Sequence, residues 1–244
     1  MSALRDELLE MLKEPAVRDD DLRRRLLAAL LEPTQPRPMT YEEFLRWKDE
    51  DTHAEWVDGE VTLTMPPKDR HQDIVLFLAS LLRILLDLTA VGRVRTAPLE
   101  VYLPKRPASR EPDIVVVLGE NIANLSEDRF TGAPDLIVEV ISEDSVRRDR
   151  VEKFLEYERE GVREYWLIDS RPAHYGVEAF ALEAAVYTPI EVDHEGWLQS
   201  RVLPGFRVKP AWFTSDSLPD SLSALSEMLS PELKTQLRQR LGGE

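Results

Sequence analysis

A chain of 244 residues, 43% of them hydrophobic, can build one domain of ordinary size with extensions at its ends. Its formal net charge of −15 argues against a broad non-specific nucleic-acid surface, because phosphate binding depends on lysine and arginine releasing counterions, so any DNA contact is expected to be local. With no cysteine, there is no disulfide, no thiol nucleophile and no cysteine zinc site.

The longest apolar run, Ile74 to Leu88, is interrupted by Ser80, Arg83 and Asp87, and is too polar and too short to span a bilayer. The opening MSALRDELLE has acids where a secretion signal needs a basic region and an apolar stretch, so a cytoplasmic protein with no membrane partner is expected.

Apolar spacing predicts helices over Leu4 to Lys13 and Asp20 to Leu31, separated by Pro15, and Pro33, Pro36 and Pro38 make a stiff linker. Residues 1–38 therefore read as a helical arm. Thr40 followed by Glu43 is the capping-box signature of a helix from Tyr41 to Lys48 that opens the main domain, 39–210. Glu55 to Leu63 reads as a β-hairpin turning at Asp58-Gly59, and His71 opens a long helix to about Leu88. Strands are predicted at Arg93 to Leu103, Ile114 to Leu118 and Leu136 to Ile141. The last two are nearly continuous apolar runs, as in strands covered on both faces. Ser142 is placed to cap a following helix that Gly161 ends. Glu164 to Ile168, Glu178 to Leu182, Ala185 to Val192 and Trp197 to Val202 complete one mixed sheet, and Leu218 to Leu241 returns to amphipathic helix within a C-terminal extension, 211–244. The expected fold is α/β (α+β): a mixed central β-sheet flanked by helices, with helical extensions at both ends that make a homodimer a fair guess.

Glu139 is the most informative residue. It lies inside Leu-Ile-Val-Glu-Val-Ile, where burial of a carboxylate calls for a compensating cation, either a metal ion or an arginine partner. Alternation puts Asp135, Ile137, Glu139 and Ile141 on one face, near the strand's carboxyl end. Asp113 opens the neighbouring Ile-Val-Val-Val strand after Pro112. Alone it reads equally as a solvated acid, but two carboxylates on neighbouring strands point to a shared divalent-metal site. Asp149, Lys153 and Tyr157, at four-residue spacing, form one stripe that can look back over the strand end. Lys153 could orient a water or offset transition-state charge, and otherwise reads as a solvated partner of Asp149. Ligands of this kind suit hard, oxygen-seeking ions, Mg2+ or Mn2+. Trp56, Tyr165 and Trp166 alternate as core residues do, and His53, His174 and His194 show no ligand spacing.

These residues resemble the PD-(D/E)XK nuclease superfamily, and within it the Uma-two family of restriction-endonuclease-like proteins. The similarity runs from Met39 to about Pro210. It is carried by Met-Thr-Tyr-Glu-Glu-Phe at 39–44, Glu-Trp-Val-Asp-Gly-Glu at 55–60, Glu-Pro-Asp-Ile-Val-Val-Val at 111–117, Pro-Asp-Leu-Ile-Val-Glu-Val-Ile-Ser at 134–142, the Lys153 to Tyr157 spacing, and Gly-Val-Arg-Glu-Tyr-Trp-Leu-Ile-Asp at 161–169. The resemblance implies a restriction-endonuclease-like fold and a metal-dependent endonuclease cutting DNA. Asp113 and Glu139 would be the paired acids, Glu55 a further metal ligand, Lys153 the migrated lysine, and His71 and Tyr157 auxiliary groups. His71 would contact phosphate or shuttle a proton; a lone histidine at a helix start otherwise serves as a surface or capping group. The chain departs from the superfamily pattern in having Ile141 two residues after Glu139, where lysine usually stands. The alternative is a catalytically inactive protein of the same fold, kept as a binding or scaffolding module.

Overall fold

The computed structural model describes residues 38–49, 52–64, 66–215 and 217–242. The helices expected at 4–13 and 20–31 lie outside them. Helix α1 (Tyr41–Trp47) starts as its sequence dictates: the Thr40 hydroxyl accepts the Glu43 amide at 3.2 Å, and the Glu43 carboxylate accepts the Thr40 amide at 2.9 Å. Strands β1 (Ala54–Val57) and β2 (Glu60–Leu63) form the expected hairpin, with Asp58 and Gly59 at φ 51° and 91°. Gly59 is required there twice over: the left-handed backbone favours glycine, and a Cβ would stand 2.4 Å from Pro38 Cβ.

Helix α2 (Asp69–Thr89) buries Ile74, Phe77, Leu78, Leu81, Leu82, Leu85 and Leu86, the three- and four-residue spacing of one apolar face. The segment expected as a single strand from Arg93 to Leu103 is instead two. Strand β3 (Gly92–Thr96) and β4 (Glu100–Leu103) belong to different sheets, and Pro98 breaks the run where the chain passes between them. Strands β5 (Ala108–Arg110), β6 (Ile114–Leu118), β7 (Arg129–Thr131), β8 (Leu136–Ile141), β9 (Glu164–Asp169), β10 (Gly176–Glu183) and β11 (Val186–Pro189) follow. They assemble two sheets rather than one: five strands in the order β2-β1-β5-β4-β7, and six in the order β11-β10-β9-β8-β6-β3. The six-stranded sheet is mixed, with β8 parallel to β9 and antiparallel to β6. Its middle strands β6, β8 and β9 are the buried apolar runs of the sequence.

Alternation along these strands divides the core. Ile114, Val116, Leu136, Val138 and Trp166 face α2, whereas Val115, Val117, Ile137, Ile141 and Tyr165 face the five-stranded sheet and helix α3 (Phe154–Glu160). Tyr165 and Trp166 are fully buried and Trp56 nearly so, as core residues. Glu139 shares the second face with Ile137 and Ile141.

Two further expectations are corrected. Ser142 does not cap a helix; a turn intervenes, and the helical path enters α3 through a π-helical stretch, Arg148–Lys153. Residues 197–202 do not join the main sheet, because only Leu198–Gln199 (β12) is extended and it pairs with Arg207–Val208 (β13) in a separate ribbon. Gly161, at φ 99°, ends α3 as expected. Helices α4 (Ser221–Met228) and α5 (Pro231–Arg240) are capped by Asp220 and Ser230, and Ala224, Leu225, Met228 and Leu229 pack into the α2 core. No helix among the described residues is long and apolar enough to cross a membrane.

Leu81 is fully buried on α2, so Leu81→Ala is expected to cost about 2–5 kcal/mol, whereas Thr40→Ala, which removes only a cap, should cost about 1 kcal/mol; urea denaturation of the two variants measures the contrast.

Candidate active site

The site lies where β1, the β6 and β8 ends and the π-helical stretch converge on a cleft of about 760 Å³. Ile114 opposes Val138 in the antiparallel β6–β8 pair, so continuing the register by one residue sets Asp113 opposite Glu139. Asp113 Oδ2 accepts the Val140 amide at 2.7 Å and lies 3.1 Å from His71 Nε2, which fixes the side chain against both β8 and the first turn of α2. Lys153 Nζ donates to Glu139 Oε1 at 2.7 Å, pairs with Glu55 Oε1 at 2.9 Å, and stands 3.6 Å from Asp149 Oδ1. The Tyr157 hydroxyl donates to the same Glu139 oxygen at 3.0 Å. The structure thus brings all six of Asp113, Glu139, Lys153, Glu55, His71 and Tyr157 to one centre.

Sequence reasoning did not anticipate the arginines. Arg110 donates to Glu55 Oε2 at 2.8 Å and forks onto both oxygens of Glu156, each at 2.8 Å. It comes from a three-residue strand with no readable periodicity, and its partners are 55 and 46 residues away, so no local signal could have paired them. Arg148, also in the cleft, lies 3.8 Å from Glu55 and 3.9 Å from Asp149. Asp149 was visible as part of the helical stripe, but its near-complete burial was not.

Electrostatics separate the two glutamates. Burial drives the Glu139 carboxyl up and, with Asp149, Asp113 and Glu55 beside it, prevails over Lys153 to leave a pKa of about 8. Burial acts on Glu55 in the same direction, but Lys153, Arg110 and Arg148 together overcome it and hold that carboxyl down at about 2. Burial likewise disfavours the Lys153 ammonium, yet Glu139, Glu55 and Asp149 prevail and keep it charged well beyond the ordinary lysine range.

No group of three or more His, Asp or Glu side chains spaced to hold a metal ion occurs among the described residues. The donor set still suits an ion bound through two carboxylates. Among the described residues, every hydrogen bond to Asp113 falls on Oδ2 and every one to Glu139 on Oε1, so each retains a second oxygen. Magnesium sites of this kind use one or two carboxylates and complete the shell with water and substrate phosphate. Glu55 fits less well, because Arg110 engages one of its oxygens and Lys153 the other.

Two acids from adjacent strands and a lysine reaching the second acid on a mixed sheet match the pattern that the sequence resembles. The Uma2 family model, described as "Putative restriction endonuclease", matches residues 41–211, and the chain belongs to that family. The crystal structure of a "putative nuclease belonging to DUF820" from Anabaena variabilis shares the fold: TM-score 0.55 at 20% identity, covering 79% of this chain and 100% of that one. No curated protein matches the chain in sequence.

Replacing Arg110 with methionine strands buried Glu55 and Glu156 without their shared cation and is expected to destabilise the protein by about 3–5 kcal/mol in chemical denaturation. The depressed Glu55 carboxyl favours the folded state above pH 4.5, its ordinary value, and that contribution is lost as pH falls toward about 2. Glu55→Gln should therefore flatten the fall in melting temperature across that window.

Proposed function

We propose that the protein is a divalent-metal-dependent endonuclease that hydrolyses phosphodiester bonds in DNA, with Asp113 and Glu139 holding Mg2+ or Mn2+. The observation that carries this reading is the pair of opposed carboxylates, each keeping one oxygen, on the floor of an open cleft beside a buried ammonium. A bound ion would polarise the phosphate and lower the pKa of a water.

The chain's own residues supply the rest. His71 and the Val140 amide fix the Asp113 carboxylate, and Tyr157 with Lys153 fixes Glu139. Lys153, held as an ammonium, offsets the negative charge that accumulates on the phosphate oxygens. Glu55 acts here by retaining Lys153 in place, since both its oxygens are engaged by cations. Lys68, His53 and Arg148 at the cleft provide the few positive or polar contacts that a DNA strand needs on so acidic a protein.

Calorimetric titration with Mn2+ is expected to show binding that Asp113→Ala and Glu139→Ala each abolish, with plasmid DNA nicked by the parent and spared by both variants. A parent that binds no ion, alone or with DNA present, and nicks nothing would leave the fold as a binding or scaffolding module.

A further inference from the structure

Hydrolysis at this centre needs an acceptor for the proton of the attacking water, and Lys153 cannot serve while three carboxylates hold it as an ammonium. Asp113 and Glu139 are committed to the ion in the reading above, and Glu55 to Arg110 and Lys153. His71 turns Nε2 to Asp113, Glu111 is held by Lys48 and His53, and Asp144 is exposed, so among the described residues Asp149 has the one buried carboxylate oxygen in the cleft left without a partner. Asp149 is only 2% exposed, yet its Oδ1 has no hydrogen-bond partner among the described residues.

Its nearest cations are Lys153 Nζ at 3.6 Å and Arg148 Nε at 3.9 Å, both too far for a direct hydrogen bond. Arg148 Nε is itself buried without an acceptor among the described residues. An orphaned acceptor and an orphaned donor thus sit on consecutive residues of a π-helical stretch, a local irregularity often found at functional sites, and both residues line the cleft that holds Asp113 and Glu139. A purely structural role for Asp149, as counter-ion to Lys153, is poorly served by this geometry, since Glu139 and Glu55 already make the close contacts at 2.7 and 2.9 Å.

Resting on the hydrolytic reading, we propose that Asp149 is the general base of this centre: its Oδ1 takes the proton of the attacking water, whose oxygen Arg148 Nε orients. In that step the water oxygen bonds to phosphorus as one phosphorus–oxygen ester bond breaks. One water proton passes to Asp149, the departing alkoxide takes a proton from solvent in the open cleft, and Asp149 returns its own to solvent. A phosphodiester and water become a phosphomonoester and an alcohol, with no other reactant.

The test uses the full chain with Mn2+, bis(p-nitrophenyl) phosphate and plasmid DNA. Asp149→Asn should lower kcat by about 100-fold or more while KM, manganese affinity and melting temperature stay close to the parent's, and formate should restore part of the kcat lost in Asp149→Ala. If the parent cleaves and Asp149→Asn keeps its kcat within a few-fold, or if formate restores nothing while KM or manganese affinity shifts instead, the assignment of Asp149 is overturned and the metal-dependent reading stands. If the parent neither binds manganese nor cleaves, both fall. Should Asp149→Asn fail to fold, Asp149→Glu decides: it keeps the charge but displaces the oxygen, and a folded variant with unimpaired kcat would overturn the proposal.

Discussion

A single buried ammonium organises this molecule. Lys153 is 3% exposed and would be expelled from the interior but for Glu139, Glu55 and Asp149 around it. Those three acids, in turn, could not be buried together without it. Each comes from a different element: Glu55 from the five-stranded sheet, Glu139 from the six-stranded one, and Asp149 from the π-helical stretch. The charge balance therefore ties together layers that the apolar core alone would leave free to slide. Arg110 extends the tie, bridging Glu55 to Glu156 on α3.

The same balance explains how the chain departs from the superfamily pattern that its sequence resembles. Ile141, where lysine is usual, is fully buried on the face that packs against the five-stranded sheet and α3. A charged group at that position would need its own partners inside that packing. Lys153 reaches the Glu139 carboxylate from the helix instead, so the charge is delivered to the same acid while the strand keeps an apolar contact.

Much of this was legible before any coordinates. The capping box, the Asp58-Gly59 turn, the apolar stripe of α2 and the buried strands β6 and β8 each follow from a short-range pattern that tertiary contacts then reinforce. Glu139 was conspicuous because a charge inside an apolar strand is costly wherever it ends up. What could not be read depended on distance along the chain or on local irregularity. Alternation on both sides of Pro98 made β3 and β4 read as one strand, and their pairing in different sheets was not visible locally. Trp197 to Val202 has strand-like side chains, but only Leu198–Gln199 is extended, paired with Arg207–Val208 in a two-stranded ribbon. The role of Glu55 was ambiguous because a carboxylate reads the same whether it will meet a metal ion or an arginine 55 residues away.

The passage of the chain from β3 to β4 carries a consequence for how the molecule ages and fails. The larger sheet is gripped on one face by α2 and the C-terminal helices, an arrangement rich in leucine and tryptophan, while the smaller sheet leans on the opposite face through fewer apolar side chains. The groups proposed to act in catalysis straddle that seam. Warming or mild denaturant would therefore loosen the smaller sheet first, separating Glu55 from Lys153 while the larger layer stayed folded. Under the proposed function, cleavage would be lost before the main core came apart.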